Sequence, residues 1–202
     1  GYKNAVEELI YTSAPIFLNG TPPTGGWYFS YTDCCRNASI VNLGAGSGWF
    51  TLRAIMYPFS GQNMNPCFDN SPDFAEPPLL GLCTETTVSY SHTTFDPDLD
   101  SLSYSWGIPL DGSSFPGIYY PFNAGYTYQS PLPGLAQHPL NIPATLDTAH
   151  GIISFLSYTQ GVFVTVTKVS SYKCGQLVSE IFREVQLSLL SNCLITNSPN
   201  VF

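Results

Sequence analysis

Charge is the first thing this sequence has little of. Asp, Glu, Lys and Arg make up 10% of the 202 residues, where an ordinary globular chain has roughly a quarter. Six Lys or Arg stand against 14 Asp or Glu, a net charge of −8. No basic stripe exists to neutralise phosphates, which excludes a nucleic-acid binder, and an anionic membrane surface would repel such a chain. Long apolar runs are missing too, since none approaches the ~20 residues that span a bilayer. No signal-peptide pattern follows Gly1, so the chain is expected to be a mature product or a piece cut from a longer one. Unbroken helical patterns are scarce because 17 Gly and 17 Pro are scattered without a period. What is abundant is hydrophobic and aromatic residues, 44% and 14% of the chain, which favours filled cores over disorder. The surface must then be covered by Ser, Thr, Asn, Gln and Tyr, as suits an extracellular, cell-surface protein.

The cysteines are even in number: Cys34, Cys35, Cys67, Cys83, Cys174 and Cys193. They form no CxxC pair and no zinc spacing, so disulfides in an oxidising compartment are the expectation. Connectivity stays open. Adjacent Cys34 and Cys35 would point to opposite faces of a strand and are therefore expected to have different partners.

Short β-prone runs bounded by Gly and Pro place strands at residues 8–11, 16–18, 27–35, 38–43 and 48–57. Residues 1–66 are thus read as an incomplete or small β-sandwich domain, and residues 67–74 as a linker. Beyond it, strands at 87–92, 102–108, 151–156, 161–169 and 177–190 predict an immunoglobulin-like sandwich over residues 75–193, of about seven strands in hairpin order. Residues 112–143 are aromatic and Pro-rich, a stretch long enough to carry a function or to hide short strands. Cys67, Asn70-Ser71-Pro72 and Phe74 recur in order as Cys193, Asn197-Ser198-Pro199 and Phe202. That phrase marks a boundary in a tandem array, with residues 194–202 the start of a next repeat or a tail. The fold class is all-β, with tandem immunoglobulin-like or cadherin-like β-sandwich domains.

One stretch stands out for chemistry: Phe95-Asp96-Pro97-Asp98-Leu99-Asp100, running into a strand that alternates Leu102, Tyr104 and Trp106. Three carboxylates in one turn repel unless something positive sits among them. Oxygen ligands suit a hard cation, so Asp96, Asp98 and Asp100 are candidate calcium ligands. The plainer alternative is a solvated turn whose Asp side chains bond their own backbone. Two further chemistries can be drawn. Ser91-His92 with Asp96 could form a hydrolase triad, although no GxSxG elbow accompanies it. Tyr119, Tyr120 and Tyr126 could stack on sugar rings as a ligand face, against the alternative that they cover a sandwich edge or a neighbouring subunit.

Several phrases together resemble a known family. Trp27, then Tyr31-Thr32-Asp33-Cys34-Cys35-Arg36-Asn37-Ala38-Ser39-Ile40, is similar to a phrase of large surface proteins of Bacteroidota. Asn70-Ser71-Pro72, Tyr90-Ser91-His92, the acidic turn, Gly151-Ile152-Ile153-Ser154-Phe155 and Arg183-Glu184-Val185-Gln186 follow in that family's order. The chain thus resembles the repeat region of gliding-motility adhesins and related filament proteins exported by the type IX system. The resemblance implies a cell-surface or filament module whose partners are neighbouring repeats or copies of itself. Asp147-Thr148-Ala149 resembles the O-glycosylation triplet of that lineage, which makes Thr148 a candidate. A looser resemblance is to cadherin repeats, where an Asp-Asn-x-Pro linker shares calcium with an Asp-x-Asp pair. It implies Asp69 and Asn70 as further ligands beside Asp98 and Asp100, and a calcium-rigidified junction. The expectation is a non-enzymatic structural or adhesive module, with a carbohydrate-binding module or a surface hydrolase as the alternatives.

Overall fold

The computed structural model describes residues 9–44, 48–59, 69–78, 81–112 and 117–191. Among them every regular element is a strand. In chain order these are β1 (Trp27–Asp33), β2 (Phe50–Met56), β3 (Asp73–Phe74), β4 (Gly81–Cys83), β5 (Thr87–Ser91), β6 (Thr94–Phe95) and β7 (Ser101–Trp106). They continue as β8 (Leu110–Asp111), β9 (Ile118–Tyr119), β10 (Ile142–Leu146), β11 (Ile152–Leu156), β12 (Gly161–Lys173) and β13 (Gln176–Leu190). No helix among the described residues is long and apolar enough to cross a membrane.

The spine is the β12–β13 hairpin, paired from Gly161↔Leu189 to Lys173↔Gln176. Its two-residue loop is Cys174-Gly175, both at positive φ (50° and 80°), the twist that closes a tight hairpin. A large sheet grows outward from it in the order β1-β2-β13-β12-β7, with β4 added parallel to the end of β13. Facing it is a small sheet of order β10-β11-β5. Val88, Ile153 and Phe155 of the small sheet meet Phe163, Val185, Leu187 and Leu189 of the large one, so the main core lies between the two sheets. The all-β sandwich expected from the sequence is the architecture observed.

Two placements differ from expectation. The first stretch does not stand apart: β2 pairs with Ser179, Glu180 and Ile181 of β13, so the β1–β2 hairpin extends the sandwich's own sheet. Residues 9–11, 16–18 and 38–43 form no strand; Ile40 and Leu43 make only isolated bridges, to Val162 and Phe122. The two faces of β12, Val164 and Val166 on one and Phe163 and Thr165 on the other, alternate as a strand requires. Both faces are buried, because residues 40–44 and 118–122 pack over the second one through Leu43, Tyr120 and Phe122. Asn42 seals that layer: its amide donates to Pro131 O and Val164 O and accepts from Val164 N. The boundary phrase at 193–202, the linker residues 67–68 and Cys67 and Cys193 lie outside the described residues.

Candidate functional site

The acidic turn opens with Pro97 and closes at Leu99, whose φ of +61° bends the chain back. Leu99 N donates to Asp96 O (3.0 Å), and Asp98 N donates to Asp96 Oδ1 (2.8 Å). Asp96 therefore builds the turn itself, as an Asx residue, and its other oxygen accepts from Ser171 Oγ (2.9 Å) on β12. Asp98 is engaged from outside: Asn70 N (2.6 Å) and Asn70 Nδ2 (3.1 Å) both donate to it. The backbone bond from Asn70 is the main reason that its carboxyl is held below the ordinary range.

The remaining pair meets a cation already in the chain. Lys173, the last residue of β12, reaches Asp69 Oδ1 at 3.0 Å and Asp100 Oδ2 at 3.4 Å. Those carboxylates are only 6% and 7% exposed, and burial pushes Asp69 upward in pKa against the pull of Lys173. Burial also opposes the Lys173 ammonium, but Asp69 and Asp100 outweigh it and hold its pKa above the usual value. Of the five expected ligands, Asp69 and Asp100 meet Lys173, Asp98 meets Asn70, and Asp96 serves its own turn and Ser171. Among the described residues no three of His, Cys, Asp and Glu are grouped so as to hold a metal ion. The donor set as built does not fit calcium, and no role is assigned to it.

Lys173→Met is expected to cost about 2 kcal/mol. Removing one partner of a buried pair costs ~3–5 kcal/mol, discounted here because the ammonium keeps part of its surface in water. Thermal melts of parent and variant, each with millimolar calcium and with a chelator, check this. The parent should melt at the same temperature in both; a calcium-dependent rise would overturn the lysine reading.

The other candidate residues separate. Tyr119 is 65% exposed, whereas Tyr120 and Tyr126 are 7% and 9% exposed. Tyr120 packs on Leu43 and Val164 under the Arg36 guanidinium (4.7 Å), and Tyr126 packs on Phe163. The three rings do not share a face, because Tyr120 belongs to the layer over β12 and Tyr126 to the core between the two sheets. Thr148 lies exposed in the β10–β11 turn, which Asp147 organises by accepting from Ala149 N (2.8 Å). His92 is buried, with Nε2 against Thr167 Oγ1 at 2.8 Å and its ring edge-on to Phe74 and Tyr90. Asp96 faces Ser171 and its own turn, so His92, Ser91 and Asp96 form no catalytic triad.

Cysteine chemistry also departs from the expectation. Cys34 and Cys35 bond to each other, with Cα atoms 3.7 Å apart. β1 stops at Asp33 and Cys35 turns to φ +76°, so the strand alternation that would have parted them has ended. Cys83 is in a disulfide. Cys174 is free and exposed at the hairpin tip.

What residue-type reasoning missed is the ionic framework. Arg36 donates Nε and Nη2 to Glu184 (2.9 and 2.8 Å), Nη1 to Trp49 O and Nη2 to Leu110 O. One side chain thereby ties three segments to β13. Its signal was the scarcity of basic residues, which makes each one a candidate for a buried partner.

No protein-family model matches this chain, and no solved structure matches it. The integrin beta-like protein A of Dictyostelium discoideum is 25% identical to it over 173 residues. That alignment takes in 85% of this chain and 8% of that protein, so the chain spans a small part of its relative's length.

Proposed function

We propose that this chain is a non-enzymatic structural and adhesive module of an extracellular, cell-surface or filament protein, joined to neighbours by its own surface. The observation that carries the reading is residues 9–18. All of them are exposed, and Leu9, Ile10, Tyr11, Ile16, Phe17 and Leu18 stand 43–94% open to solvent. Together they offer several hundred Å² of apolar surface, on the order of one partner's share of a standard interface. The Tyr11 ring packs against that of Tyr31 (4.9 Å), which lays the segment beside β1, the edge strand of the large sheet. A sheet edge with an apolar ribbon next to it is suited to receive the same features of a second copy. The similarity to an integrin beta-like protein fits a surface adhesive module, and the sequence resemblance to Bacteroidota gliding adhesins suggests a filament context for it. The carbohydrate-binding alternative is disfavoured by the burial of Tyr120 and Tyr126, and the hydrolase by the surroundings of His92.

Sedimentation velocity over a concentration series tests the proposal. The parent chain should pass from monomer to larger species at tens of micromolar, and Ile10→Ser/Ile16→Ser/Phe17→Ser should remain monomeric with an unchanged circular dichroism spectrum. A parent that stays monomeric throughout sinks it.

A further inference from the structure

The small sheet ends at β5, and no strand lies on the outer edge of β5 among the described residues. His92 N donates to Gly151 O beyond β11's end. Alternation along an antiparallel ladder therefore turns the backbone groups of Ser89 and Ser91 the other way, outward. Further along, residues 73–75 do flank this edge, with Ala75 N donating to Thr93 O (2.8 Å). The chain then leaves at Glu76-Pro77-Pro78 to reach β4 on the other sheet. A groove of about 460 Å³ is left between the β5 edge and β13.

Arg183 stands in that groove. Its guanidinium lies over the Phe74 ring at 4.5 Å and gives one hydrogen bond, from Nη2 to Glu76 O. Arg36, Lys168 and Lys173 each have a carboxylate partner. Arg53 stacks on Phe182 and borders a space of only about 10 Å³. Arg183 alone among the described cations is half-buried in a roomy groove with no carboxylate against it. The Tyr90 ring lines the groove as well, with its hydroxyl turned inward towards Thr165 of β12. A guanidinium without a carboxylate of its own matches one from a ligand, which can accept two parallel N–H bonds from its fork.

We propose that this groove binds an extended peptide bearing a carboxylate side chain, which adds alongside β5 through Ser89 and Ser91 and presents its carboxylate to Arg183. A peptide is favoured over an acidic sugar because the outward amides recur every second residue, about 6.8 Å apart, the repeat of another strand.

Fluorescence polarisation on the whole chain tests the site with two labelled pentapeptides, acetyl-Thr-Val-Glu-Val-Thr-amide and its Gln analogue. The Glu peptide should bind saturably and the Gln peptide at least tenfold more weakly. Arg183→Gln should bring the Glu peptide down to the level of the Gln peptide, while Arg183→Lys, which keeps charge but not the fork, should retain part of the difference. Ser89→Pro removes an outward amide and the hydroxyl contact to Ser154 but no backbone bond to β11, and should weaken both peptides alike. Equal binding of the two peptides, or no binding of either, overturns the proposal. So does displacement by sodium glucuronate at concentrations similar to the peptide, which would make the site one for acidic sugars. None of these outcomes bears on residues 9–18, so failure here leaves the self-association reading to its own test.

Discussion

Arg36→Leu is expected to destabilise the fold by about 3–5 kcal/mol, the cost of leaving a buried charge without its partner. The Arg36 and Glu184 side chains are 3% and 13% exposed, and the pair is bidentate. Without the guanidinium, Trp49 O and Leu110 O also lose a donor, and Tyr120 loses the cation above its ring. Urea unfolding at pH 7 measures the loss. Arg36→Leu/Glu184→Leu should recover a large part of it, because an apolar pair of similar volume removes the uncompensated carboxylate. If the double variant is as unstable as the single one, packing around Arg36 rather than charge is what matters. The pH dependence gives a second handle. Burial already holds Glu184 above the ordinary carboxylate range, opposed by Arg36. With Arg36 gone the folded state takes up a proton more readily than the unfolded chain. Relative to the parent, which shares the loss through His92, the single variant should therefore gain stability as the pH falls from 7 towards 5.

Acid should weaken the parent chain through His92. Burial, aided by the nearby positive charge of Arg183, pushes its pKa down from 6.5 to about 4. Its other neighbours, Thr167, Phe74 and Tyr90, offer no negative charge to offset this. A depressed histidine stays neutral in the fold while the unfolded chain binds a proton. The stability it contributes is present above about pH 6.5 and is lost as the pH falls towards 4. The loss amounts to about 2–3 kcal/mol at pH 4.5. Urea midpoints at pH 7 and 4.5 for parent and His92→Gln check it: the parent should lose more stability than the variant by that margin. Parallel losses would show that His92 is not the group responsible.

How far the sequence carries the structure can be judged residue by residue. The alternation of Phe163, Thr165 and Thr167 against Val162, Val164 and Val166 fixed β12 as a strand, because side chains of an extended chain must alternate. Gly175 is the local signal in its turn, because a glycine takes the left-handed conformation that the hairpin needs there. The acidic turn was legible as well, and Asp69 and Asn70 were placed beside it by resemblance.

What fills the space between those carboxylates was not legible. Lys173 is 73 positions from Asp100 and 104 from Asp69, and only the 13-residue run of β12 carries it there. Distance along the chain says nothing about which charge will arrive. The burial of both faces of β12 was hidden for the same reason, since a strand's period shows that its faces differ but not how many will be covered. That was decided by residues 40–44 and 118–122 folding over it, and it turned Tyr120 from a surface candidate into core. Local periodicity and turn chemistry determined the strands, the hairpin and the all-β class. Partner choice, the pairing of Arg36 with Glu184, Lys173 with Asp69, and no carboxylate with Arg183, was decided only when the sheets closed, because charges pair with what is near in space.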